Sequence, residues 1–150
     1  MNWICKRFDE LTPHELYAIL QLRSIVFVVE QNCVYPDMDD KDQNSFHLMG
    51  WTNEKLCAYT RLVPKGISYE DHPAIGRVVT APHSRGKGAG RELMLKSITK
   101  TIELFGNNPI KIGAQLYLKK FYESLGFVQT SDTYLEDGIE HIEMILHPLS

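Results

Sequence analysis

Residues 85–90, Arg-Gly-Lys-Gly-Ala-Gly, have the composition of an anion cradle. Gly86, Gly88 and Gly90 carry no side chain, so a ligand can approach the backbone closely and positive φ costs little. A β-branched stretch, Val78-Val79-Thr80, leads into them, and an amphipathic helical pattern starts at once behind them. The unpaired N–H groups of a helix start, at Arg85, Gly86, Lys87, Gly88, Ala89 and Gly90, would then face a phosphate or pyrophosphate. Arg85, Lys87 and Arg91 add positive charge at the same place. Two common phosphate loops are excluded by spacing. No Lys-Ser or Lys-Thr pair follows the glycines, as a P-loop requires, and Gly86-Lys87-Gly88-Ala89-Gly90 does not match G-x-G-x-x-G.

Other chemistry-bearing residues are more scattered. Glu30 follows the apolar run Ile25-Val26-Phe27-Val28-Val29, where partial burial would raise its pKa into the range of a general base. A salt bridge to Arg23 or Arg61 is the alternative for that carboxylate. His47 opens an apolar stretch and can be read as a base or as a structural histidine. The run Asp37-Met38-Asp39-Asp40-Lys41-Asp42 lacks the glycine and closing Glu of a calcium loop, Asp42 and Leu48 standing there. It reads by default as a solvated polar loop; the functional reading is that these carboxylates, with Glu30, give the acceptor site a negative field that attracts an ammonium. Cys5, Cys33 and Cys57 are odd in number and dispersed, as are six histidines. That pattern suits reduced thiols in a cytoplasmic protein, with no metal and no disulfide frame.

The elements that must position these residues follow from pattern. Strands are expected at 3–8, 46–51, 55–63, 75–80, 110–115, 127–130 and 141–146, with a hairpin across Thr52-Asn53-Glu54. Thr12-Pro13-His14-Glu15 has the form of a capping box, opening a helix that runs on pattern to about Val29, although its β-branched end Ile25-Val26-Phe27-Val28-Val29 reads equally as strained or extended. Met94, Leu95, Ile98, Ile102 and Phe105 form the stripe of a second helix. A third covers 118–125, with Gly126 as its C-terminal cap. Residues 31–45 read as loop or short irregular helix, and the stretch around Glu136-Asp137-Gly138 as a loop. The 150 residues, with 43% hydrophobic and 23% charged content, suit a single domain, 1–150. A net charge of -3 argues against nucleic acid as a partner, and no apolar run nears the roughly 18 residues of a membrane span.

The pattern Arg85-x-x-Gly88-x-Gly90 resembles the coenzyme A pyrophosphate loop of the GNAT N-acetyltransferases. Phe121-Tyr122-Glu123-Ser124-Leu125-Gly126-Phe127 resembles that family's F-Y-x-x-x-G-F segment, at the expected distance downstream. Leu22-Arg23-x-x-Val26-Phe27-Val28-Val29-Glu30-Gln31, followed by Asp39, Asp42 and His47, looks like the ElaA-like branch. The resemblance spans nearly the whole chain. It implies an α/β (α+β) fold: a mixed, mostly antiparallel twisted sheet of six or seven strands flanked by helices, with a V-shaped splay between the fourth and fifth strands. It also implies acetyl-CoA as co-substrate and direct transfer of acetyl to a primary amine, a small molecule or a peptide, in a ternary complex.

The resemblance further implies roles. The pantetheine arm would lie along Arg77-Val78-Val79, with the acetyl carbonyl near the N–H of Val78 or Val79. Tyr122 would be the acid for the departing thiolate, and nearby Tyr117 a packing residue. Glu30 is the candidate base. Arg23, Gln31, His47 and Gln115 are candidates for the acceptor side, with Arg23 serving either as a brace for the acidic segment or as a contact to a substrate carboxylate. A non-catalytic acyl-CoA-binding or regulatory module, or an acyltransferase with a different donor, is the alternative. An antiparallel sheet edge near the C-terminus leaves a homodimer open.

Overall fold

The computed structural model describes residues 1–148. Strands β1 (Asn2–Arg7), β2 (Phe46–Thr52), β3 (Lys55–Val63) and β4 (Ala74–Thr80) pair antiparallel in that order. Next to β4 lies β5 (Ile110–Gln115), parallel to it, and then β8 (Ile139–Leu146), antiparallel to β5. The short strands β6 (Val128–Gln129) and β7 (Tyr134–Glu136) both pair with β8. The sheet thus has eight strands, one more than the upper expectation. The additional strand is β7, in the stretch read as loop. Asp137 and Gly138, at φ 53° and 78°, form the two-residue turn that pairs it with β8. Asp-Gly is a strong signal for such a turn.

The sheet is covered on both faces. Helix α2 (Ala89–Phe105) presses Leu93 and Met94 onto Leu48, Ala58, Leu62, Ile75, Ile110 and Ile112. Helix α1 (Pro13–Arg23) and the π-helix that continues it (Ser24–Glu30) pack Ile19, Leu22 and Val26 against Met49, Tyr59 and Val79 on the other face. Strand β3, central and covered on both sides, is buried from Leu56 through Val63, hence its unbroken run of non-charged residues up to Arg61. The α1 start is the expected capping box: Thr12 Oγ1 accepts from Glu15 N (3.1 Å), and Glu15 Oε1 accepts from Thr12 N (2.8 Å). The end of α1 differs from a regular helix. The helical path does reach Glu30, but from Ser24 it is a π-helix, a form often found at functional sites.

Strands β4 and β5 are in register at a single pair, Ala74 with Lys111, reinforced by Lys111 N donating to Pro73 O at 3.0 Å. Beyond that pair they separate, and a cavity of about 490 Å³ fills the opening. This is the expected splay between the fourth and fifth strands. Short helix α3 (Lys119–Glu123) closes one side of it. It ends in a Schellman motif: Phe127 N donates to Tyr122 O (3.1 Å) and Gly126 N to Glu123 O (3.0 Å), with Gly126 at φ 102°.

Candidate active site

The loop between β4 and α2 is shaped by its glycines. Gly86 and Gly88 lie at φ 83° and 74°, and a Cβ at either would meet nothing within 4 Å. Gly88 is the N-cap of α2 and offers no side-chain cap. The first-turn N–H groups of this 17-residue helix therefore have no side-chain acceptor, and the positive end of the helix dipole faces the loop. Arg85, Lys87 and Arg91 are exposed around it. Arg91 Nη1 donates to Ser124 Oγ (3.2 Å), tying the α2 start to the end of α3.

Strand β4 is irregular where it lines the cavity. Arg61 faces Gly76 and Tyr59 faces Val79, so Arg77 and Val78 together oppose Thr60 in a β-bulge. Arg77 sits at φ 50°, an uncommon conformation for a residue with a Cβ. Its guanidinium offsets that cost, donating to Asp37 Oδ1 and to the Asp37 carbonyl, both at 2.8 Å, and to Asp39 Oδ2 at 3.3 Å. A bulge leaves a residue outside the ladder. Here it puts Val78 out of one-to-one register with β3, on a strand whose residues 76–80 line the opening.

Tyr122 projects from α3 into the same cavity and is only 5% exposed. Its ring makes edge contacts with Phe121 (5.1 Å) and Phe127 (5.9 Å). Burial, with a smaller contribution from the Tyr117 side chain, pushes its phenol above the ordinary tyrosine range, so it stays protonated. Among the described residues no protein group hydrogen-bonds its hydroxyl, which leaves the proton for a ligand.

The acetyltransferase (GNAT) domain family profile matches residues 19–148. The chain belongs to the GNAT family. It is 40% identical to the ElaA protein of Escherichia coli over 96% of this chain and 95% of that one. A UPF0039 protein of Schizosaccharomyces pombe is 43% identical, over 97% of each chain. The crystal structure of an acyl-CoA N-acyltransferase from Pseudomonas aeruginosa superposes with a TM-score of 0.91 at 41% identity, covering 97% of this chain and 98% of that one. The ElaA crystal structure gives 0.90 at 38% identity, over 97% and 99%. The fold is the GNAT acyl-CoA N-acyltransferase fold, and the chain is an acyltransferase of the ElaA-like branch.

The GNAT cavity's other wall corrects several expectations. Glu30 is neither buried nor raised in pKa. It is exposed, and its carboxylate takes both Arg85 Nη2 (2.6 Å) and Nη1 (2.9 Å), which hold it below the usual carboxylate range. The partner is Arg85 of the loop, where Arg23 or Arg61 was expected. Arg23 itself is fully buried, and its role is the brace: it donates to Asp37 Oδ2 and Asp42 Oδ1, both at 2.7 Å, and cannot reach a substrate carboxylate. His47 is sealed between the Tyr59 hydroxyl (2.6 Å) and the Asp42 carbonyl (2.9 Å), and burial lowers its pKa; it is structural. The aspartates do not form a solvated negative field. Asp37, Asp39 and Asp42 are ion-paired with Arg23, Arg61 and Arg77. Tyr117 is exposed and lines the cavity, so it is not a packing residue.

Gln31 and Gln115 do come together. Gln115 Nε2 donates to Gln31 Oε1 at 3.3 Å, linking the end of the π-helix to the end of β5. Sequence reasoning passed over His141, Glu136 and Asp137, which the β7–β8 turn brings to the cavity. The Asp-Gly turn was the signal that could have found them. Among the described residues no group of three His, Cys, Asp or Glu side chains could hold a metal ion, and no helix is long and apolar enough to cross a membrane.

Proposed function

We propose that this acyltransferase is an acetyl-CoA-dependent N-acetyltransferase that passes acetyl directly to a primary amine in a ternary complex. The observation that carries the reading is the convergence of the β4 bulge, the uncapped start of α2 and Tyr122 on one cavity. The N–H groups of 86–90, helped by Lys87 and Arg91, hold the diphosphate; the Arg85 N–H, expected among them, instead donates to the Pro82 carbonyl at 3.5 Å. The pantetheine arm adds to β4 as an extra strand, which needs main-chain groups and little side-chain identity. The acetyl carbonyl accepts a hydrogen bond from the N–H of Val78 or Val79, which stabilises negative charge on oxygen as the amine attacks.

The amine must arrive neutral, its lone pair forming the C–N bond. As the tetrahedral intermediate collapses, the C–S bond breaks with its electrons on sulfur, and the Tyr122 phenol supplies the thiolate's proton. The excess proton on the new amide nitrogen then restores the phenol. No cysteine intermediate is required. Cys57 Sγ lies 3.7 Å from His83 Nε2, yet Cys57 is buried outside the cavity, and Cys33 Sγ donates to the Asp137 carbonyl at 3.3 Å. The three free thiols suit a reducing, cytoplasmic setting.

Calorimetric titration with acetyl-CoA and thiol release with a panel of primary amines test the reading together. Micromolar binding with amine-dependent thiol release is expected. Binding without release from any amine would favour the non-catalytic acyl-CoA-binding module, and release only with longer acyl chains a different donor. No binding at all would refute the reading.

A further inference from the structure

An amine acceptor is an ammonium at neutral pH and must lose a proton before it attacks. The expected base, Glu30, is occupied by Arg85. Asp37, the other carboxylate on that side of the cavity, is shared between Arg23 and Arg77. The phenols of Tyr35, Tyr117 and Tyr122 and the thiol of Cys33 are poor proton acceptors in their neutral forms. His47 has both ring nitrogens engaged and does not line the cavity. What remains is the β7–β8 hairpin, with Glu136, Asp137 and His141.

His141 has the geometry of a poised base. It lies on β8 opposite Gln115 of β5 and Tyr134 of β7, with its ring stacked on Tyr134 at 5.9 Å between centroids. Its Nδ1 is 2.8 Å from the Ile139 carbonyl oxygen. A carbonyl only accepts, so Nδ1 carries the proton, and the neutral ring keeps its lone pair on Nε2. The nearest carboxylate to Nε2 is Glu136 Oε2 at 3.5 Å, close enough to steady an imidazolium. Glu136 is itself 56% exposed along its side chain, so water competes for it directly, whereas the imidazole is 9% exposed.

We infer that His141 Nε2 is the proton acceptor for the amine, and that Ile139 and Glu136 position it. This rests on the acetyltransferase reading above. The ammonium gives one proton to Nε2, its freed lone pair attacks the thioester carbonyl, and the imidazolium later passes that proton to solvent past Glu136. The groups facing His141 are Tyr134 and Glu136 from β7, Asp137 in the turn, uncharged Gln115 from β5 and, two positions along its own strand, Glu143. The cation on this face is Lys111 of β5, held by Glu143 at 2.6 Å, so the carboxylate left beside Nε2 is that of Glu136.

The test uses the full chain with acetyl-CoA and putrescine, tyramine and lysine amide as probe amines. His141→Gln is expected to lower kcat/KM by about 10²-fold and to abolish the acid limb of its pH profile. Coenzyme affinity should stay within about twofold, and added imidazole should restore part of the rate in His141→Ala. A His141→Gln enzyme with wild-type rate and an unchanged acid limb would overturn the inference while leaving the acetyltransferase reading intact. Wild-type protein that neither binds acetyl-CoA nor releases thiol would overturn both. Side-chain ¹⁵N NMR of the wild-type protein needs no variant to fold. It should show neutral His141 protonated on Nδ1 and its Nε2 signal shifting when amine joins the coenzyme complex; the opposite tautomer, or no shift, counts against the assignment.

Discussion

The two walls of the cavity are built from different materials. One, the coenzyme wall of the proposed reading, consists of the β4 bulge, the 85–90 loop and the first turn of α2, and it presents main-chain groups. The facing wall presents side chains: Gln31 and Glu30 from the π-helix end, Gln115 from β5, and Glu136 and His141 from the last hairpin. A wall made of backbone recognises what never changes, a diphosphate and an extended arm on the proposed reading, whichever side chains decorate it. A wall made of side chains can be altered for a new acceptor without disturbing the donor. A largely buried network of Arg23, Arg61 and Arg77 with Asp37, Asp39 and Asp42 pins the 37–42 segment to the bulge, with Arg77 and Asp37 at the cavity surface.

The largest effect should come from cutting that network. Arg23→Met leaves Asp37 and Asp42 short of a partner in a buried setting and should cost about 3–5 kcal/mol in denaturant unfolding. A loss under about 1 kcal/mol would mean that the network is not what joins the walls. The same network predicts acid sensitivity. Burial alone would raise Asp39 and Asp42, but hydrogen bonds and charge hold both low, from Arg61 joined by Arg77 at Asp39 and from Arg23 joined by Arg61 at Asp42. The unfolded chain therefore takes up protons first, and stability present above about pH 4 is lost as pH falls below it. His47, lowered by burial, adds an earlier loss that begins near pH 6.5 as the unfolded histidine protonates. A melting temperature flat from pH 7 to 3 would contradict both.

On the coenzyme wall, Tyr122→Phe should slow thiol release by about 10²-fold while leaving acetyl-CoA affinity unchanged. Unchanged turnover would remove the phenol from the reaction. Gly88→Ala places a Cβ in open space but at φ 74°, so it should cost about 1–2 kcal/mol of stability, read in the melting curve, and loosen coenzyme binding. The smallest effect is at the seam between the walls. Glu30→Gln frees Arg85 from an exposed ion pair, so the melting temperature should hardly move while acetyl-CoA binds a few-fold tighter. Weaker coenzyme binding would show that Glu30 orients Arg85 where the ion pair suggests competition.

The asymmetry also explains what the residues alone could reveal. Main-chain sites need local sequence, glycines at set spacing before a helix, so the 85–90 loop, the Thr12 capping box and the Phe121–Phe127 segment were all readable. Side-chain sites need topology. Arg23 meets Asp42 across 19 residues, Arg77 meets Asp37 across 40, and Cys33 meets Asp137 across 104. Nothing in a one-dimensional pattern says which aspartate takes which arginine, or that Glu30 would find Arg85 instead of burial. The Asp137-Gly138 turn is a different case, a local signal that was present and not used. Its reading would have paired Tyr134 with His141 and put a histidine at the sheet opening.

The π-helix from Ser24 to Glu30 gives this architecture a mechanical sensitivity. A π-turn accommodates extra residues without lengthening the rod in proportion, as if one had been spliced into an ordinary helix. Deleting a single position there would let the ordinary winding resume and rotate everything downstream by about 100°. Glu30 would swing off Arg85 and Gln31 off Gln115, while Ile19 and Leu22, upstream, stayed seated. Length variation at this one spot would retune the facing wall in a single genetic step and, by releasing Arg85, reach the glycine loop as well.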